Sequence, residues 1–352
     1  MSSYPLCRHL WAVLTLSLAT TVAGIARAAD LPAGVLTMEF VYDTAPFRSC
    51  HASTVAVTKS GLACAWFGGT AEGNKDVGIW LSIHRDGTWT PPFEVVNGVQ
   101  PDGSRYPCWN PVLDVDPGSS DRLTLYYKVG PKPTRWWGMK TVSTDGGRNW
   151  SSAEKLPDGI LGPIKNKAVR LPDGRLLCPS STESPVNGEW RVVMETLSAD
   201  GSSWSKTDPL PDPDKVQAIQ PTVLFHSADR LQLLARSQVR TIAESWSNDG
   251  GRTWSPLAKT NLSNPNSGID AVTLKDGRHL LIHNPVDKGR TPLVLSTSRD
   301  GKEWREVSRL ETEPGEYSYP AIIQAADGRV HATWTWRRLK VRHAVIDASR
   351  WD

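Results

Sequence analysis

Short runs of apolar and β-branched residues, each bounded by Gly, Pro, Asp or Ser, recur along most of the 352-residue chain. They come in pairs around a tight turn, and the pair occurs six times. The turns are marked by Gly61, Arg122, Gly174, Arg230, Gly277 and Gly328, which stand 61, 52, 56, 47 and 51 residues apart. A repeat of about fifty residues is the period of a four-stranded propeller blade.

The pattern predicts one strand before each marker and a second strand after it. The strands before the markers are 54–58, 112–115, 168–171, 222–225, 271–274 and 321–324. Those after the markers are 62–67, 123–128, 176–179, 231–237, 280–284 and 330–336. A third strand follows in the repeats, for example at 78–83 and 293–298. Because no segment has a convincing helical period, we predict an all-β fold, a six-bladed β-propeller.

A second motif connects the outer strands of the repeats. The octapeptide STDGGRNW at 143–150 returns as SNDGGRTW at 247–254, with shorter copies at 198–204 and 298–304 and a worn copy, DGTW, at 86–89. In each copy the Asp carboxylate can accept hydrogen bonds from the turn's own backbone, and Gly adopts a positive φ. The Trp then folds back as an apolar plug. We therefore predict a structural role for the Asp of every copy.

The first residues have the pattern of a secretory signal peptide. Arg8 and His9 precede an apolar run at 10–24, and Ala26-Arg27-Ala28 offers a cleavage site for a peptide of residues 1–28. The run is shorter than the ~20 residues that a membrane span needs. We expect a secreted or periplasmic protein whose residues 29–352 form one propeller domain. The strand at 36–41 is expected to complete the sixth sheet and close the ring.

Charge and cysteine content narrow the function further. A formal net charge of +3 without basic blocks gives no support for nucleic-acid binding. No metal-ligand spacing is present, so we expect neither metal nor cofactor, and we expect a monomer. Cys64 and Cys178 lie in apolar runs typical of buried thiols. Cys50 and Cys108 occupy similar places in successive repeats and are the better candidates for a disulfide.

In a propeller the innermost strands of all blades begin at one face, beside the central axis. The residues at these strand starts are His51, Asn110, Lys165 with Asn166, Gln220, Ser267 and Ser318. The second strands end at the same face with Glu72, Lys128, Glu183, Arg236, Asn284 and Arg337. Trp109, Trp136, Trp137 and Trp336 flank this polar set. Polar groups beside indole rings are suited to carbohydrate.

The repeated S-x-D-x-G-x-x-W turn, with a secretion signal and six modules, resembles the sialidase (neuraminidase) superfamily of six-bladed propellers over essentially the whole mature chain. Members bind the substrate carboxylate with three Arg, and use a Tyr nucleophile activated by a Glu, with an Asp as acid/base. The resemblance implies that Arg236 and Arg290 are the second and third Arg, and that Tyr317 is the nucleophile.

Other positions depart from the family pattern. His51 stands where the first Arg is expected, with Arg48 three residues earlier, and Gln220 stands where the Glu is expected. Gln220 cannot accept a proton from Tyr317, so the usual activation of the nucleophile is missing. With two Arg in place of three, binding of a carboxylate is retained but weakened or reshaped. His51 adds a group that is expected to titrate near neutral pH.

These residues favour a sialidase-like exo-glycosidase, a glycoside hydrolase acting on a terminal acidic sugar (sialic acid or a uronic acid) of an oligosaccharide or glycoconjugate. Glu72, Asp76 or Glu183 would be the general acid. In a second interpretation the protein is a polysaccharide lyase, in which His51 or Tyr317 removes the C5 proton of a uronate. In a third it only binds glycans. The predicted substrate-binding residues are Arg236, Arg290, Asn110, Trp109, Lys165, Glu183 and Arg337.

Overall fold

The predicted strand pairs form six antiparallel sheets. The protein is described by a computed structural model that covers residue 1 and residues 31–351. Residues 2–28 of the predicted signal peptide lie outside the described residues. Within those residues, no helix has the length and apolar character needed to cross a membrane. The helical segments described are two short 3-10 turns, Pro133–Arg135 and Ala348–Arg350. The predicted all-β, six-bladed propeller is confirmed.

Each blade starts with its innermost strand. After an N-terminal strand β1 (Val35–Phe40), blade one contains β2 (Ser49–Thr58), β3 (Gly61–Gly69), β4 (Gly78–Arg85), β5 (Thr88–Trp89) and β6 (Phe93–Val96). Blade two contains β7 (Cys108–Asp116), β8 (Ser119–Val129), β9 (Trp137–Ser143) and β10 (Glu154–Lys155). Blade three contains β11 (Val169–Arg170), β12 (Leu176–Glu183), β13 (Trp190–Leu197) and β14 (Trp204–Lys206).

The remaining three blades have the same order of strands. Blade four contains β15 (Ala218–Phe225), β16 (Leu231–Ser237), β17 (Thr241–Ser247) and β18 (Ala258–Ser263). Blade five contains β19 (Asp270–Thr273), β20 (His279–His283), β21 (Leu293–Ser298) and β22 (Arg305–Glu311). Blade six contains β23 (Tyr317–Gln324), β24 (Val330–Trp336) and β25 (Lys340–Ile346). We call the face where innermost strands begin and second strands end the upper face.

Strand β1 supplies the fourth strand of blade six. It pairs antiparallel with β25, from Val35 opposite Ile346 to Phe40 opposite Arg342. Glu39 on β1 also accepts a hydrogen bond from Trp89 Nε1 of blade one at 2.9 Å. The strand therefore pairs with the last blade and contacts the first, which joins the two ends of the ring.

The Asp-containing turns have the hydrogen bonds predicted from their sequence. Asp145 Oδ1 accepts the backbone N–H groups of Arg148 at 3.0 Å and Asn149 at 2.9 Å. The bond from Asn149 is the main reason that the pKa of Asp145 falls to about 2. Trp150 Nε1 donates to Gly147 O at 2.9 Å, which holds the indole against the turn. The copy at 247–254 repeats these contacts, with Asp249 accepting from Arg252 and Thr253.

The expected disulfide between Cys50 and Cys108 is not formed, because all four cysteines in the described part of the chain are free and buried. Cys50 packs in a cluster with Tyr42 and Trp66 and accepts a hydrogen bond from Tyr42 Oη at 3.1 Å. Cys108 belongs to a different cluster, between blades one and two. The two thiols therefore lie in separate hydrophobic clusters, although they occupy equivalent places in successive repeats.

His283, at the end of β20, is expected to make the protein sensitive to acid. Its side chain is 1% exposed, Nε2 lies 3.0 Å from Ser296 Oγ, and Nδ1 has no hydrogen-bond partner. Burial lowers the pKa of His283 to about 4. An unfolded His takes a proton below about pH 6.5, so the protein should lose stability as the pH falls from about 6.5 to about 4.

The expected loss from this one group is about 3 kcal/mol in the free energy of unfolding. It can be measured by urea denaturation at a series of pH values. His283→Gln keeps a donor for Ser296 and does not titrate in this range. Between pH 6.5 and pH 4 the variant should therefore lose about 3 kcal/mol less stability than the wild type. Parallel pH profiles for the variant and the wild type would contradict this assignment.

Candidate functional site

Four of the six innermost strands contain the same β-bulge near the upper face. At each bulge, three residue steps along the innermost strand face two steps along its neighbour. The bulges lie between His51 and Thr54, Trp109 and Val112, Ile219 and Thr222, and Ser318 and Ala321. The residue that follows the first paired one has a positive φ: 56° at Ala52, 34° at Asn110, 57° at Gln220 and 51° at Tyr319. Such values are uncommon outside glycine, and bulges re-aim side chains beside functional sites.

Because of the bulge, equal residue counts from the turn markers do not reach equivalent positions in every blade. Such a count matches Gln220 of blade four with Ser318 of blade six, but the residue equivalent to Gln220 is Tyr319. A sequence signal was present, because Asn110, Gln220 and Tyr319 are each followed by Pro. Proline has no N–H to contribute to the ladder, so it is tolerated where a bulge interrupts the pairing.

Tyr319 lies at the centre of the site. Its phenolic oxygen accepts hydrogen bonds from Arg236 Nη1 at 2.8 Å and from Gln220 Nε2 at 3.2 Å. The guanidinium of Arg290 and the ammonium of Lys165 lie 5.9 Å and 5.8 Å from its ring centre. These groups come from blades three to six, so the phenol stands at the axis of the ring, surrounded by cations and N–H donors.

Arg236 is held in place by three neighbours besides Tyr319. Its Nε donates to Asn266 Oδ1 at 2.8 Å, its Nη1 lies 3.4 Å from Gln220 Oε1, and its guanidinium stacks 5.2 Å from the Trp190 ring centre. Because the amide oxygen of Gln220 faces Arg236, its NH₂ group faces Tyr319. Gln220 is therefore a donor to the phenol, and its amide is not a base that could take the phenolic proton.

A third arginine, which the sequence analysis missed, completes the cationic wall. Arg338 Nε and Arg290 Nη1 both donate to Glu316 Oε1, at 2.7 Å and 2.8 Å, and Arg338 also pairs with Glu72. Arg338 follows Arg337, the residue predicted for this position. Both adopt positive φ in the β24–β25 turn, and Arg337 points instead to Pro314, Tyr317 and Trp336.

His51 packs against the central tyrosine, with the two ring planes tilted by 45°. Its ring centre lies 4.0 Å from that of Tyr319, and its Nδ1 lies 3.1 Å from Thr335 Oγ1. Burial, followed by the charges of Arg338, Arg290 and the other nearby cations, holds the pKa of His51 well below its usual 6.5. The expectation that His51 titrates near neutral pH is therefore corrected: the imidazole is neutral there.

Beneath Tyr319, Lys165 and the ion pair between Lys167 and Asp270 fill the axis. Lys165 Nζ donates to Asn166 Oδ1 at 2.8 Å, to Ile269 O at 3.2 Å and to Pro320 O. Burial is the main cause that lowers the pKa of Lys165 to about 7, although these acceptors also satisfy its charged form. Asp270 lies 1% exposed nearby and receives Lys167 Nζ at 2.9 Å.

Among the carboxyl groups of the site, Glu183 has the surroundings that suit a general acid. It lies at the upper end of β12, half-buried beside Trp190 and Arg236. Burial raises its pKa, against the opposing effects of Arg236 and of a hydrogen bond with Trp190. Glu72, by contrast, is exposed and occupied by Arg338. Glu183 is thus the better proton donor of the two.

Two residues predicted for catalysis, Tyr317 and Asp76, lie away from the groups around Tyr319. Tyr317 is 1% exposed and packs in the core between blades five and six, with only a 3.4 Å contact from Arg337 to its hydroxyl. It is two residues from Tyr319 and is not among the groups around the axis. Asp76 accepts the backbone N–H of Thr70 at 2.8 Å and the Thr70 hydroxyl, so it closes the loop between β3 and β4.

The remaining predicted residues lie at the edge of the site. Trp109 is 6% exposed, and its Nε1 donates to Gly130 O at 2.9 Å within the fold. Asn110 occupies the bulge of blade two and is 5% exposed. Across residues 31–351, no group of three or more His, Cys, Asp or Glu side chains is arranged to hold a metal ion.

Comparison with known proteins identifies the repeat. A family model described as a BNR repeat-like domain matches residues 60–332, more than half of the chain. A comparison with curated protein sequences gives no match.

Solved structures with the same fold include sialidases. A Hadza microbial sialidase is 17% identical with a TM-score of 0.71, and the match covers 86% of this chain and 66% of that one. A protein of unknown function from Dyadobacter fermentans is 17% identical with a TM-score of 0.72, over 89% of this chain and 98% of that one. The NanB sialidase from Streptococcus pneumoniae is 13% identical with a TM-score of 0.68, over 90% and 71%.

At these identities the likeness shows the fold alone. The resemblance to the sialidase superfamily is confirmed at that level. The chain spans just under two thirds of the length of the Hadza sialidase.

Proposed function

We propose that this chain, which belongs to the BNR repeat-like domain family, is a sialidase-like enzyme that acts on glycans carrying a terminal acidic sugar. One observation carries the proposal. The Tyr319 hydroxyl receives two N–H donors, from Arg236 and Gln220, at the centre of a face that also contains Arg290 and Arg338. A sugar carboxylate can pair with these arginines while the phenolic oxygen faces the reacting carbon.

The first candidate reaction is glycoside hydrolysis. The Tyr319 oxygen attacks the anomeric carbon, and the bond from that carbon to the leaving oxygen breaks. Glu183 gives its proton to the leaving oxygen, a role favoured by its raised pKa. Water then cleaves the sugar–tyrosine bond. The two donors at the phenolic oxygen stabilise negative charge that develops there during the first step.

The route of the phenolic proton differs from that of other sialidases. Gln220 donates its NH₂ to the phenol and cannot accept the proton. The neutral imidazole of His51, whose ring packs 4.0 Å from the Tyr319 ring, is the base we assign. Gln220 stands in place of the family's Glu, and His51 in place of its first Arg. These two replacements suggest that the acidic group of the substrate is bound differently from the carboxylate of sialic acid.

The same two residues favour elimination as a second candidate. A neutral His51 beside Tyr319 is a base–acid pair, and the arginines can stabilise the charge that builds on a uronate carboxylate when C5 loses its proton. The bond from C4 to the leaving oxygen then breaks, a C4–C5 double bond forms, and Tyr319 protonates the leaving oxygen. No water is consumed.

The two reactions can be separated in heavy-oxygen water with a panel of sialosides and uronate oligosaccharides. Hydrolysis places the heavy oxygen on the anomeric carbon of the released sugar. Elimination leaves that label out and produces the ultraviolet absorbance of an unsaturated uronate. Binding of acidic glycans without either product would leave a glycan-binding protein and overturn the enzymatic proposal.

Arg290 provides a direct test of carboxylate binding. Hydrogen bonds to charged groups contribute roughly 1.5–3 kcal/mol, so Arg290→Gln should lower kcat/KM on an acidic glycan by about 10- to 100-fold. The methyl ester of the same substrate should lose little further activity with this variant. Arg240→Gln, which changes an exposed arginine 3.9 Å from Asp287, is the matched control and should keep the wild-type rate. Equal losses on acid and ester would exclude the contact.

A further inference from the structure

A cleft between blades two and three opens on the same upper face as Tyr319. It has a volume of about 250 Å³, and its lining includes Trp136, Trp137, Lys155, Asp158, Thr182 and Lys206. We call it the tryptophan cleft. Trp136 ends the connection between β8 and β9, and the other residues lie near strand ends or in the loop after β10, so a chain of sugars bound at the axis can pass over the cleft.

The far wall of the cleft is held in shape by a buried carboxylate. Glu195, which is fully buried, accepts the backbone N–H groups of Leu161 at 3.0 Å and of Gly162 at 2.6 Å. Lys128 donates to Pro163 O in the same loop, and Lys206 donates to Gly159 O at 2.9 Å. These bonds fix the loop, so the cleft is formed before any ligand arrives.

A row of rings connects the tryptophan cleft to the central site. Starting from His51, the ring centres of successive neighbours are 5.7 Å apart to Phe67, 6.2 Å on to Trp109 and 5.9 Å on to Trp136. Phe67 and Trp109 are buried, and Trp136 is the first ring of the row that is partly exposed. A glycan of a few residues therefore spans the path from Tyr319 to the cleft.

The chemistry of the cleft selects an uncharged sugar. Its two ammonium groups each have a carboxylate partner, since Lys155 lies 2.6 Å from Asp158 and Lys206 lies 3.6 Å from Glu195. Arg236 at the axis, by contrast, is hydrogen-bonded to the neutral side chains of Asn266, Gln220 and Tyr319. What remains in the cleft is an indole surface beside hydroxyl and carbonyl groups, which matches the C–H face and hydroxyls of a neutral pyranose. We propose that the tryptophan cleft binds a neutral sugar residue on the leaving-group side of the acidic glycan.

This inference rests on the proposed function for its substrate, but it makes a separate prediction. The wild type should favour an acidic oligosaccharide over a short glycoside of the same acidic sugar. Trp136→Ala should lower that ratio of kcat/KM values by about 10-fold, in line with the contribution of one aromatic contact. Trp246→Ala changes an indole near the opposite face, flanked by Arg230 and Lys302, and should leave the ratio unchanged.

A binding experiment separates this inference from the proposed catalysis. A neutral oligosaccharide without the acidic sugar should shift the indole N–H signal of Trp136, assigned with Trp136→Phe, in the NMR spectrum of the full chain. A shift in a protein without detectable turnover would support the cleft and overturn only the enzymatic proposal. Turnover with an unchanged substrate ratio in Trp136→Ala, and no shift of the indole signal, would overturn the cleft.

Discussion

Replacing Tyr319 with Phe is expected to lower kcat/KM on an acidic glycan by about 100- to 10,000-fold, the contribution of one positioned proton-transfer group. The substitution removes only the oxygen that Arg236 and Gln220 contact at 2.8 Å and 3.2 Å. The ring remains, so its packing against His51 should persist. Turnover is measured with the substrate identified by the product analysis, and folding by circular dichroism.

Tyr317→Phe is the matched control for this experiment. It removes the same atom from a tyrosine two residues away, whose hydroxyl has a 3.4 Å contact with Arg337 in the core. We expect this variant to keep a rate close to that of the wild type. A loss of activity confined to Tyr317→Phe would restore the prediction made from the sequence and would contradict a catalytic Tyr319.

Replacing Asp270 with Ala is expected to lower the free energy of unfolding by about 3–5 kcal/mol, the usual cost of removing one partner from a buried ion pair. Asp270 accepts hydrogen bonds from Lys167 at 2.9 Å, Thr222 Oγ1 at 2.7 Å and the backbone N–H of Ile322 at 2.8 Å. Its partners belong to blades three, four and six, and it belongs to blade five. One carboxylate thus ties four blades together at the axis.

The loss is measured by urea denaturation, with Asp276→Ala as the control. The Asp276 side chain is 50% exposed and pairs with Arg278 at the surface, so its removal should cost less than about 1 kcal/mol. The double variant Asp270→Asn/Lys167→Met removes both charges of this pair and should be more stable than Asp270→Ala. If Asp270→Ala unfolds at the same urea concentration as Asp276→Ala, the axial carboxylate is not a structural centre.

The same carboxylate affects the site above it. Asp270 raises the pKa of Lys165, against burial and the charges of Lys167 and Arg236. Lys165 in turn lies 5.8 Å from the Tyr319 ring centre. Asp270 therefore supports the cationic surroundings of the tyrosine without contacting the upper face.

The sequence determined the number of blades and the chemistry of their turns, because both depend on local signals. Asp145 and Asp249 accept the backbone bonds of their own turns, as the residues within each octapeptide predict. Strand pairs at regular spacing were equally visible, since each is encoded by adjacent apolar runs and turn residues. The sequence resemblance also pointed to Gln220, Arg236 and Arg290, which the fold brings together around Tyr319.

Only the tertiary structure decided which side chains meet at the axis. A strand alternates its faces with a period of two, so one extra residue in a bulge reverses every later assignment. Tyr317 and Tyr319 would share one face of a regular strand, but the bulge leaves Tyr317 in the core and turns Tyr319 to the axis. The β24–β25 turn likewise brings in Arg338 rather than Arg337. Asp270 and its partners span four blades, a relation between distant residues that no local pattern encodes.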